Sequence, residues 1–160
     1  MKRTALKRRT PLRTNTRLKK QSTVPISKLK KQLWQLCRAI IIGKHGRVCY
    51  TCPNGTESLL EGANCQVGHF IPSSICSGEM RYYLDNLRPQ CFRCNIHLSG
   101  NWPAYEAHLR RDGIDVEELK RRNEQTKGLK YDIHWYRAKI AEYETIAQSQ
   151  TQRKEDMAAA

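Results

Sequence analysis

Residues 49–101 read CYTCPNGTESLLEGANCQVGHFIPSSICSGEMRYYLDNLRPQCFRCNIHLSGN. Two CxxC pairs, Cys49/Cys52 and Cys91/Cys94, lie near its ends, with 38 residues between Cys52 and Cys91. A CxxC turn places two thiolates on one side of a tight knuckle, so each pair supplies half of a tetrahedral site. Four thiolates suit Zn²⁺, and closing the chain over the metal contributes folding free energy directly. A redox CxxC normally opens a helix after a buried strand in a βαβ pattern, which this sequence lacks. An iron–sulfur cluster is the weaker metal alternative. Of the other cysteines, Cys37 flanks the apolar face of an N-terminal helix and reads as core. Cys65 and Cys76 read as ordinary thiols.

Seven cysteines would also suit a secreted disulfide scaffold, but the opening MKRTALKRRTPLRTNTRLKK holds no apolar run of the signal-peptide kind. No stretch approaches the roughly 20 apolar residues of a membrane span. The expectation is a reducing cytoplasm, where paired cysteines usually mean metal. Hydrophobic residues make up 39% of the chain and the mean hydropathy is -0.73. A large core is therefore not expected, and a metal staple offsets the shortfall.

The net charge is +14, and it is one-ended. No Asp or Glu precedes Glu57, whereas 15 of the 29 Lys and Arg fall in residues 1–56. A basic end attracts polyanions, nucleic acid being the usual one, and counterion release provides affinity without sequence choice. A membrane-surface helix would need an aromatic and leucine-rich face that this end lacks.

Around the cysteine segment the chain divides simply. Residues 1–26 read as a disordered basic arm with Pro11 and Pro25. Residues 27–43 read as a helix capped by Ser27, with Leu29, Leu33, Leu36 and Ile40 on one face and Gly43 at its end. Residues 48–100 form a loop-rich core. Beyond it Asn101 caps a short helix with Pro103 in its first turn, ending before Gly113. Asp115 and Glu118 form a capping box for the next. Asp132 starts the last, with Ile133, Tyr136, Ile140, Tyr143 and Ala147 on one stripe. Residues 148–160 read as a disordered tail. The expected architecture is α+β: one domain over 27–147, a small zinc-stapled finger flanked by N- and C-terminal helices.

Between the knuckles lies His69, in a short apolar run after Gly68. Asn86 precedes the second knuckle, and Asn95, His97 and Asn101 follow it. Alone, a histidine on a strand is more often structural. The order knuckle, strand with His, Asn, knuckle, then a helix opening with polar ligands is the layout of a ββα-metal nuclease on a treble-clef zinc site. There the His is general base toward water, the Asn holds the hairpin and orients the ring, and a polar residue at the helix start binds Mg²⁺ or Mn²⁺. Arg81, Arg88 and Arg93 read either as phosphate contacts or as solvated surface. Trp34, Trp102 and Trp135 can stack on unpaired bases, though packing is the better reading. His45, His108 and His134 read as surface or packing residues.

These strings resemble a family. CYTC, VGHF, DNLRPQC and CNIHLSGNWPAY are similar to the NinG (Rap) recombination proteins of lambdoid phages. KLKKQLWQLCRAIIIGKHGRVC, RRDGIDVEELKRR and WYRAKIAEYETIA extend the resemblance over residues 27–147. It implies zinc binding, action in phage homologous recombination in the bacterial host cytoplasm, and structure-specific cleavage of branched DNA such as D-loops and Holliday junctions. The layout is also similar to the treble-clef resolving endonuclease of T-even phages, where an Asn directly after the last zinc cysteine binds the catalytic metal. Asn95 fills that place. Those nucleases carry an Asp just before the catalytic His, and here the position is Gly68. The catalytic metal is then held differently, with His97 or Asn101 as possible helpers; nothing in the spacing favours Asp85.

Two readings follow. One is a divalent-metal-dependent HNH-like endodeoxyribonuclease with catalytic His69 and Asn86, metal ligands Asn95 and His97, and structural zinc on Cys49, Cys52, Cys91 and Cys94. Its partners would be junction DNA, phage recombination proteins and a second copy of the chain, with no membrane. The other is a non-catalytic zinc-finger module that binds DNA or a recombination partner.

Overall fold

A computed structural model describes residues 24–52 and 60–159. The expected arm therefore lies outside the described residues, apart from the stretch just before the first helix. Helix α1 spans Ile26–His45, with Pro25 immediately before it. Leu29, Leu33, Cys37, Ile40 and Ile41 are its buried residues, a stripe repeating at three and four residues. Ser27 sits inside the first turn and makes no capping bond. The helix also passes Gly43 and stops at Gly46, which adopts the left-handed conformation at φ 73°.

Strands β1 (Gln66–His69) and β2 (Leu87–Gln90) form one antiparallel pair, in which Gly68 faces Arg88 and His69 faces Leu87. A tight hairpin does not join them. The chain between runs from Phe70 to Asn86 as an irregular excursion fixed by side chains. Asn86 is fully buried and bonds both backbone groups of Ile71, accepting from its N–H at 2.7 Å. Farther out, Ser77 N–H donates to Asn123 at 2.7 Å, and Arg122 pairs with Glu79 at 2.5 Å.

Helices α2 (Trp102–Arg111) and α3 (Val116–Thr126) pack under this excursion. Tyr105, Leu109, Val116 and Leu119 meet Phe70, Ile71 and Met80 in one buried cluster. Asp115 accepts from Glu118 N–H at 3.0 Å, the expected N-cap of α3. Asn101 does not cap α2: it stands in the left-handed region at φ 48° and donates its amide to the Thr51 carbonyl at 2.5 Å. The chain must turn sharply between the second knuckle and α2, and that geometry takes the side chain away from the helix end.

Helix α4 spans Ile133–Ala158, begun by Asp132 accepting from Trp135 N–H at 2.9 Å. Its stripe of Tyr136, Ile140 and Tyr143 packs against the buried face of α1. The stripe is thus occupied within the chain. The helix also continues through residues 148–158, where the sequence reading expects a disordered tail. Of this stretch Gln150 and Lys154 lie over Gly43 of α1, where the missing side chain leaves a shallow cleft. No helix among the described residues is long and apolar enough to cross a membrane.

Candidate functional site

The four knuckle cysteines converge. Their sulfurs all lie within 4.8 Å of one another, with Cys52 at 3.7 Å from Cys91 and 3.6 Å from Cys94. Zinc–thiolate bonds of about 2.3 Å in a tetrahedron set sulfurs about 3.8 Å apart, so the donor set fits the ion. The backbone supports it: Cys94 N–H points at Cys91 Sγ, at 3.4 Å. Leu60 and Cys65 shield the cluster on its apolar side. Four cysteines that can hold a zinc ion therefore join β2 to the chain leaving α1.

His69 ends β1 and faces an open groove. Its ring lies parallel to that of Trp34 from α1, with centroids 5.2 Å apart and planes within 5°. Its Nε2 is 3.0 Å from the carbonyl oxygen of Arg81. A carbonyl can only accept, so Nε2 carries the proton and Nδ1 holds the lone pair. Burial holds the imidazole below its usual pKa range, and the Arg81 charge adds to this against the opposing pull of the Arg81 carbonyl. At neutral pH the ring is therefore uncharged, with Nδ1 as its basic atom.

Two adjoining clefts of about 400 and 570 Å³ meet at Trp34, His69 and Ser73. Lys30, Lys31 and Arg81 rim the first; Asn95 and Gly100 line the second. Basic groups thus stand on one side of His69 and amide oxygen on the other, an arrangement suited to an anionic substrate crossing the ring.

Not every expected residue arrives here. Asn95 does, but on a single π-helical turn, Arg93–His97, rather than on a long helix. Ser99, Gly100 and Asn101 all have positive φ, which separates that turn from α2. His97 is exposed, its ring edge against Phe92, and it does not line the groove. Asn86 makes its bonds to Ile71 and Met80 backbone, so it fixes the excursion behind His69 rather than the ring itself. Arg88 plays neither expected role. It is 2% exposed, donates to the carbonyls of Leu84, Asp85 and Leu87, and lies over the Tyr50 ring. Arg93 is exposed, and Asp85 lies outside the groove.

Three features went unread in the sequence. Trp34 falls beside the apolar stripe of α1, and only the fold reveals that it covers His69. Lys30 and Lys31 look like part of a general basic segment. Gln90 carries no distinguishing signal in the sequence, yet it is wholly buried.

The fold and the cysteine cluster define a small α+β protein with four clustered cysteines that could hold a zinc ion. The family profile described as NinG, Bacteriophage Lambda NinG protein, matches residues 1–155, and the chain belongs to that family of phage recombination-related proteins. No curated protein and no solved structure matches the chain.

Proposed function

We propose that this chain is a divalent-metal-dependent endodeoxyribonuclease that cuts branched DNA during phage recombination in the host cytoplasm. The observation that carries the reading is His69: neutral, oriented by Trp34 and the Arg81 carbonyl, and open to a groove with a basic rim. Together with β1, β2 and the second knuckle it forms a finger of the ββα-metal type on a treble-clef zinc site.

In the proposed step His69 Nδ1 takes a proton from water as its oxygen bonds to phosphorus. The bond from phosphorus to the leaving sugar oxygen breaks, and that oxygen takes a proton from solvent. Lys30, Lys31 and Arg81 hold the strand by its phosphates, and Asn86 keeps the excursion beneath the ring in place. Asn95 is placed to help hold a divalent cation. When bound, the cation stabilises charge on the phosphate and the leaving oxygen. Junction resolution needs paired cuts, so two copies acting together is part of the proposal, through a surface other than the occupied stripe of α4.

Gly68 favours one competing reading, a non-catalytic zinc module, because it supplies no carboxylate beside His69. The deciding experiment is cleavage of labelled four-way junction, D-loop and linear duplex by zinc-loaded protein, with Mg²⁺, Mn²⁺ or EDTA, beside His69→Ala. Metal-dependent cutting that His69→Ala abolishes with binding intact is the expected result. Tight binding without cutting in any metal sinks the nuclease reading and leaves the module.

A further inference from the structure

Position 68 is the sharpest departure from the expected nuclease pattern, and the space around it is not vacant. A Cβ built on Gly68 would overlap Gln90 Oε1 and lie 2.8 Å from Asn95 Oδ1. Gln90 Oε1 therefore takes up the place where the first atom of a residue-68 side chain would sit, and Asn95 Oδ1 lies beside it.

Their orientations are fixed by chemistry. Gln90 Nε2 lies 2.7 Å from the Gly100 carbonyl and 2.8 Å from Thr51 Oγ1. The carbonyl accepts only, so the nitrogen must face it and Oε1 must face Gly68. Gln66 is oriented likewise, its Nε2 toward the Ala63 carbonyl at 3.3 Å, which leaves Oε1 to accept from Asn95 Nδ2 at 2.7 Å. Asn95 Oδ1 is thereby turned inward to the same place. Gln90 is 0% exposed, and its Oε1 has no hydrogen-bond partner among the described residues. A buried carbonyl-type oxygen left without a donor or cation is costly. A hard cation with oxygen ligands would satisfy it.

We propose that Gln90 Oε1 and Asn95 Oδ1 are the protein ligands of the divalent cation, two amide oxygens over Gly68 taking the place of the absent carboxylate. The inference rests on the nuclease reading for the purpose of that ion. Gly68 is then a requirement of the site: any side chain there displaces Gln90 Oε1. Two neutral ligands attract Mg²⁺ or Mn²⁺ weakly, so the charge needed for tight binding comes from the DNA phosphate itself.

The test is Mn²⁺ binding to the full-length, zinc-loaded protein, read by electron paramagnetic resonance without DNA. Converting either amide to carboxylate, Gln90→Glu or Asn95→Asp, is expected to tighten Mn²⁺ binding ten-fold or more. Asn95→Ala should weaken it at least ten-fold. Because Gln90→Glu sacrifices the bonds to Thr51 and Gly100 and risks misfolding, the wild type supplies a second measurement. Mn²⁺ titrated to saturation is expected to broaden away the Gln90 and Asn95 side-chain amide signals in a ¹⁵N–¹H spectrum. A Gln90 signal that survives, or a folded Gln90→Glu protein with unchanged Mn²⁺ affinity, overturns the proposal. Mn²⁺ held by the amides without cleavage of any branched substrate sinks the nuclease reading alone. Cleavage lost in His69→Ala with Gln90 indifferent to Mn²⁺ sinks the amide site alone.

Discussion

Asn86 has no exposed surface, and its side chain bonds the backbone of Ile71 and Met80. Asn86→Leu leaves those groups unpaired and is expected to cost about 2–4 kcal/mol in urea unfolding, with zinc content unchanged. The residue was legible as important, but its action on the backbone was not, because spacing does not reveal what an amide bonds. His45 was read as unremarkable, yet burial, followed by the charges of Arg88 and Lys44, lowers its pKa to about 4. An unfolded histidine titrates near 6.5, so between these values the unfolded chain binds a proton the folded chain refuses. Stability therefore falls as pH drops from 6.5 toward 4. His45→Gln should gain on wild type by on the order of 1 kcal/mol between pH 7 and pH 5.5, measured by urea unfolding at equal zinc loading. No gain would mean that His45 is already protonated when folded. Gln90 illustrates the limit of sequence reading at this scale: its partner is a missing side chain on another strand.

Among the elements, the cysteine pairs were the most readable part of the chain, because ligand spacing carries its own geometry. Metal analysis should find one zinc held by this cluster, and Cys94→Ser should release it and abolish cooperative melting. The helices were legible as periodic stripes, and their ends were not. Gly43 reads as a stop in isolation, yet α1 continues past it because α4 lies alongside and covers the bare backbone. Among the described residues, the one atom a Cβ there meets below 3 Å is Oε1, at the flexible end of Gln150. Gly43→Ala should therefore stabilise the protein, by up to about 1 kcal/mol, through better helix propensity. A lower melting temperature would show that Gln150 cannot move aside. The turn at Ser99–Asn101 was equally hidden, since only its glycine signals left-handed backbone.

Across the whole molecule, the one-ended charge was plain in the sequence, and it belongs to the reading in which nucleic acid is the partner. Residues 1–23 hold nine Lys and Arg and no acidic group. Deleting them should weaken junction binding at least ten-fold at about 0.1 M salt and flatten the dependence of log affinity on log salt by several units. An unchanged slope would place the phosphate contacts on the folded domain instead. The pairing of α1 with α4 was not legible, because each stripe fits any apolar surface and the two lie at opposite ends of the described chain. That pairing has a consequence for synthesis. The face of α1 that carries Leu33 and Ile40 is closed by residues of β1, β2 and α4, so an element made late completes the packing of one made early. Trp34 rides on that same helix, so the groove beside His69 depends on α1 being held in place. A chain truncated before α4 would therefore keep all four clustered cysteines yet lack one of the elements that hold α1, and with it Trp34, beside His69.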